Sequence, residues 1–96
     1  MLGFDDLVDV LEDVPKPVLY EQLAEESVEL AKAALKMSRV IRGENPTPVT
    51  QEEAVEMVRE ELSDLFTVCA VLNVGPEIDR MMPKLRRWAE RVKANK

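Results

Sequence analysis

Histidine is missing from this sequence, and cysteine occurs once. Without imidazole there is no histidine general base, no zinc site with histidine ligands and no Glu-x-x-His pattern of the di-iron helical bundles. The lone thiol, Cys69, has no internal partner for a disulfide, which fits a reducing compartment. Glycine (3 residues) and aromatic residues (4%) are scarce. Alanine, leucine, valine, glutamate and basic residues dominate instead, a mixture that favours helices over sheets. The longest nearly apolar run, Leu65 to Val74, is too short to span a bilayer. The opening MLGFDDLVDV carries early acids and no basic segment, so it does not read as a signal peptide. These absences predict a cytoplasmic protein with no membrane partner. A formal net charge of −6 argues against a nucleic acid polymer as partner. It leaves room for a phosphate-bearing ligand held through metal cations.

A chain of 96 residues makes a single domain, residues 1–96. Phe4, Leu7, Val8 and Leu11 recur at i, i+3, i+4 and i+7 and predict a short helix from Gly3 to Asp13. Pro15 and Pro17 end it and open a second helix, Val18 to Arg42, which contains neither proline nor glycine and is capped by Gly43. Gly43 to Val49 reads as a loop. Thr50 with Glu53 then forms a capping box that starts a third helix, Gln51 to Asn73. Gly75-Pro76 stops it, with Pro76 expected in the first turn of a fourth helix. The stripe of that helix is Ile78, Met81, Met82, Leu85, Trp88, Ala89 and Val92, and Pro83 inside it predicts a kink or break.

The fold class expected is therefore an all-α bundle of four to five helices. Two helices of roughly 35 Å are long for a globule whose radius of gyration should be near ~12 Å. The third helix is apolar on more than one side, with Val58, Leu62, Leu65, Phe66, Cys69 and Leu72 on one and Met57, Val68 and Val71 on another. A helix that is apolar nearly all round needs cover nearly all round, so the bundle should be completed by self-association into a homodimer or homotetramer.

At 100° per residue, Leu19, Leu23, Leu30, Ala34, Met37 and Ile41 share one face of the second helix, and Glu26 falls in the middle of it. A carboxylate in an apolar stripe is costly unless paired or bound to metal. Glu29 flanks it one turn on, and Glu25 lies on its other side, further from the stripe. On the third helix, Glu61 and Asp64 are three apart and project from nearly one side, at the mouth of the charge-free run that follows Asp64; Glu60 points elsewhere. A short loop makes the two helices antiparallel neighbours, which brings the two acidic pairs level to within a turn or so. Four carboxylates at one height repel, and oxygen-only ligands select hard ions such as Mg²⁺ or Mn²⁺. Glu26, Glu29, Glu61 and Asp64 are the metal-ligand candidates.

Glu25-Glu26-x-x-Glu29 followed by Glu61-x-x-Asp64 on consecutive helices resembles the MazG-like all-α nucleoside triphosphate pyrophosphohydrolases. The stretch Leu23-Ala-Glu-Glu-Ser-Val-Glu-Leu30-Ala looks like that family's second helix, and Lys84-x-x-Arg87-x-x-x-Arg91 resembles the basic pattern on its last helix. The resemblance covers roughly residues 18 to 92. The gap between the two acidic motifs is a little longer than the family usually shows. The resemblance implies hydrolysis of a nucleoside triphosphate between the α- and β-phosphates, giving a nucleoside monophosphate and pyrophosphate. Such chemistry needs positioning and charge neutralisation rather than a covalent nucleophile. A carboxylate not fully engaged as a ligand, Glu25 or Glu26, is the candidate general base. Lys84, Arg87 and Arg91 are the candidate phosphate-binding cations, and Arg80 is a weaker one. Tyr20, Gln22, Phe66, Asn73 and Trp88 are the groups available to a base, although Phe66 and Trp88 sit in apolar stripes and are expected in the core.

Three other readings compete. A biosynthetic pyrophosphatase acting on phosphoribosyl-ATP shares the family look. A non-catalytic oligomerisation or regulatory module would leave the four acids solvent-facing and indifferent to Mg²⁺. An iron-storing carboxylate bundle suffers from the lack of histidine.

Overall fold

The computed structural model describes residues 1–44 and 48–96, and the described residues form four α-helices with no strand: α1 (Phe4–Glu12), α2 (Lys16–Arg42), α3 (Gln51–Leu72) and α4 (Ile78–Ala94). No helix among them is long and apolar enough to cross a membrane. The loop expected between Gly43 and Val49 lies partly outside the described residues.

Local chemistry sets most helix ends. The Gly3 N–H donates to Asp6 Oδ2 at 3.1 Å at the head of α1. Helix α2 begins two residues earlier than the sequence reading, at Lys16, because Pro17 is accommodated within the first turn, where its missing N–H would have no intrahelical partner. Gly43 closes α2 at φ 72°, a left-handed conformation that a glycine adopts without a Cβ clash. The capping box of α3 is formed: the Glu53 N–H donates to Thr50 Oγ1 at 3.1 Å, and the Thr50 N–H donates to Glu53 Oε1 at 3.3 Å. Thr50→Ala should therefore destabilise the chain by about 1 kcal/mol, read as a lower denaturant midpoint at unchanged slope. Asn73 ends α3 at φ 55°, the one non-glycine residue with positive φ among those described.

Two expectations for the last helix are corrected. Pro76 is not in its first turn: Glu77 is the N-cap and the helix starts at Ile78. Nor does Pro83 break it, since α4 runs unbroken to Ala94. Pro83 is the sixth residue of α4, beyond the first turn; its missing N–H removes a single intrahelical hydrogen bond, and the helix continues past it.

Helices α2 and α3 make the one extensive interhelical contact, and α1 adds a smaller one against α3. The α2–α3 pair is antiparallel: Leu19 lies beside Val71 and Leu72 at one end, and Met37 beside Gln51 and Val55 at the other. The protected positions of α2 include Leu19, Leu23, Glu26, Leu30, Ala33, Met37 and Val40, spaced alternately by four and three, with Lys36 and Ser38 also half-buried beside Met37. Those of α3 include Ala54, Val58, Glu61, Leu65, Val68 and Leu72, with the same alternation. This is the heptad seam of an antiparallel coiled-coil-like pair. It corrects the face drawn at 100° per residue, because Ala33 is buried where Ala34 was expected, and Ile41 is exposed.

The core is thin. Leu19, Ala33, Ala54 and Val71 are the buried residues, Ala54 the most so at 1% exposure, and no large side chain among the described residues is fully buried. Every residue of α4 is exposed. The radius of gyration is 17.3 Å, against ~12 Å for a compact chain of this length.

Candidate functional site

The seam of α2 and α3 is apolar except near its middle, where each helix contributes a glutamate, Glu26 and Glu61. Both are half-buried. In a heptad seam those positions face the partner helix, so two carboxylates are turned toward one another. Asp64, one turn beyond Glu61, joins them: one carboxylate oxygen from each of Glu26, Glu61 and Asp64 lies within 4.8 Å of the others. Three oxygens on one octahedral Mg²⁺ ion include at least two neighbouring pairs, about 3.0 Å apart at ligand distances near ~2.1 Å. The three acids could hold a hard dication if their carboxylates drew closer together, and three ligands would leave coordination positions for water or phosphate oxygen.

Electrostatics mark the same point. The Glu61 carboxyl is held above its ordinary value of 4.5, first by its partial removal from water and then by the negative charges of Asp64, Glu29, Glu26 and Glu60. The charges that raise it are all negative, so they disfavour its ionised form.

Of the four acids proposed as ligands, three converge. Glu29 is close enough to act on Glu61 through space but stands outside the trio; it is exposed and pairs with Lys32 Nζ at 3.3 Å. Glu25 is exposed and also outside the trio, as is Glu60. Two neighbours hold the acids: Gln22, which sequence reading offered only as a contact for a base, and Lys32, which it did not consider. Gln22 Nε2 donates to Glu26 Oε1 at 2.7 Å and fixes that carboxylate from one turn back, and Lys32 does the same for Glu29. The i, i+4 and i, i+3 spacings were the available signals.

Lys84, Arg87 and Arg91 lie on exposed α4, which packs against neither α2 nor α3 beyond an isolated contact, and the structure does not bring them to the acids. Phe66 and Trp88 are not core residues within this chain; they are 53% and 65% exposed. Tyr20 is likewise exposed, and Asn73 borders small clefts at the end of α3. No protein-family model, curated protein or solved structure matches the chain.

Proposed function

We propose that this chain is a Mg²⁺-dependent nucleoside triphosphate pyrophosphohydrolase with a MazG-like helical bundle, serving to clear surplus or non-standard nucleotides. The observation that carries the reading is the meeting of Glu26, Glu61 and Asp64 across an otherwise apolar seam. A carboxylate at a seam position destabilises a helix pair unless something compensates it, and two facing ones are hard to account for by packing. The arrangement within Glu25-Glu26-x-x-Glu29 and Glu61-x-x-Asp64 adds the family resemblance.

Mg²⁺, when bound, would neutralise phosphate charge and lower the pKa of a water. Asp64 and Glu61 would hold it from α3, and Glu26 from α2, with Gln22 keeping the Glu26 carboxylate in its orientation. Glu25, exposed and free of the trio, is then the carboxylate better placed to accept the proton of the attacking water, while Glu26 serves as a ligand. Water adds across the bridge between the α- and β-phosphates, and the pyrophosphate leaves. Lys84, Arg87 and Arg91 would neutralise the phosphates once α4 is brought near the acids. The reading includes a nucleoside triphosphate as ligand and self-association of the chain.

The test is incubation with a panel of ribo- and deoxynucleoside triphosphates and Mg²⁺. The expected products are monophosphate and pyrophosphate, with near-complete loss in Asp64→Asn. Orthophosphate as the sole phosphate product would assign a different reaction. A chain inactive on every nucleotide and indifferent to Mg²⁺ would favour the non-catalytic module, a reading to which the exposed apolar α4 lends some support.

A further inference from the structure

Helix α4 is strongly amphipathic, yet Ile78, Met81, Met82, Leu85, Trp88 and Val92 all face solvent. An apolar stripe of that size on one helix requires cover. Elsewhere in the same chain there is an uncovered groove of matching character. Phe4, Leu7 and Leu11 of α1 with Phe66 and Ala70 of α3 line an apolar depression of about 430 Å³. Phe4, Leu7, Leu11 and Phe66 remain exposed along it.

The charges flanking these two surfaces are opposite. Helix α1 carries Asp5, Asp6, Asp9 and Glu12 and no base. Helix α4 carries Arg80, Lys84, Arg86, Arg87, Arg91 and Lys93 against Asp79 and Glu90. In a chain of net charge −6, a helix with that excess of cations stands out as the complement of the acidic α1. The chain does not lay α4 into its own groove: the connection after Asn73 is non-helical, runs through Gly75-Pro76, and leaves α4 packed against no other helix beyond an isolated contact.

We propose that the apolar face of α4 docks into the α1–α3 groove of a second copy of this chain, by reciprocal exchange. Exchange of one element between identical chains is a low-cost route to a dimer, because each protomer already contains both halves of the contact. Reciprocal docking buries two such faces and two such grooves at once, each face carrying a tryptophan able to bury on the order of 150 Å² by itself. Acidic α1 set against basic α4 fixes which surfaces pair and suppresses the pairing of like surfaces. The inference deepens the self-association included in the proposed function by naming the surfaces that meet, and its readout, mass, is separable from turnover.

The test uses full-length chains of two kinds. One carries Asp5→Lys, Asp9→Lys and Glu12→Lys, which makes α1 basic and leaves α4 basic. The other carries Lys84→Glu, Arg86→Glu and Lys93→Glu, which makes α4 acidic and leaves α1 acidic. Asp6 is spared because it caps α1. Light scattering after size exclusion should show the unaltered chain at twice its 10.9 kDa. Each altered chain alone should lose the dimer, and an equimolar mixture should restore a heterodimer with both contacts attractive. If either altered chain is unfolded by itself, recovery of helical circular dichroism on mixing replaces mass as the reading. A monomeric unaltered chain, altered chains that remain dimeric alone, or a mixture that restores nothing would each overturn the proposal. The last is the result expected if α4 folds back onto its own groove.

Discussion

Glu61→Gln is expected to raise the melting temperature of the metal-free chain and, in the same molecule, to abolish stabilisation by Mg²⁺. Both effects follow from the acids gathered around Glu61. Its folded pKa is raised from 4.5, so between 4.5 and the raised value the folded state keeps a proton that the unfolded chain has released. Stability of the metal-free protein should fall as pH rises through that window and level off above it. Glutamine removes the window, so the variant should gain over the parent at pH 7 and show no such gain well below pH 4.5. Added Mg²⁺ reverses the order, because the cation binds only ionised carboxylates and stabilises whatever state binds it. Turnover should drop at least ~100-fold, since the loss of outer-shell partners alone costs about 10–100-fold. Thermal melts at two pH values with and without Mg²⁺ are the measurement. A parent protein that melts at the same temperature with and without the ion would remove the cation from the reading.

Glu26→Leu should have the second large effect, in the direction opposite to most substitutions within a helix pair. Leucine at that position completes the series Leu19, Leu23, Leu30, Ala33, Met37 with an apolar side chain. Replacing a half-buried carboxylate in a seam by a well-packed apolar group is often stabilising. Burial of one leucine brings roughly 1–2 kcal/mol, which in a chain of this size corresponds to a rise of about 4–16 °C. The same variant should lose Mg²⁺ binding and activity, so stability and function move apart at a single position. The pairing of the two outcomes is the point of the experiment. A Glu26→Leu chain that is less stable than the parent would take Glu26 out of the seam, and one that still responds to Mg²⁺ would take it out of the site.

Much of the fold was legible because helix boundaries are set by local chemistry. Thr50 with Glu53 and Gly43 act within one turn and do in the structure what their residue types suggest, whereas α3 is closed by Asn73 as a left-handed cap before the Gly75-Pro76 stop that was expected. The centre of the seam was legible too, for a geometric reason. A face drawn at 100° per residue departs from a heptad seam by about 20° every seven residues, so Glu26 and Leu30 were placed correctly while the error grew toward the end of the helix. By Ala33 and Val40 it had moved the inward residue by one position, to Ala34 and Ile41. The convergence of Glu26 with Glu61 and Asp64 came through because all three lie near the middle of their helices, where the drift is small. Glu29 is one turn from Glu26 but lies outside the trio, where Lys32 beside it pairs with its carboxylate. The position of α4 could not be read, since its stripe says that it needs cover and not which surface provides it. Phe66 and Trp88 were assigned to the core on the same stripe logic, and both await that cover.

The thinness of the core has a calorimetric consequence. Heat capacity rises on unfolding mainly because apolar surface becomes hydrated, by about 12–15 cal/mol/K per residue in ordinary domains. Here Phe66, Leu85 and Trp88 are already wet before melting begins, so an isolated chain has little more to hydrate. Its stability curve should be shallow, its endotherm broad, and its resistance to cold unusually good for so small a protein.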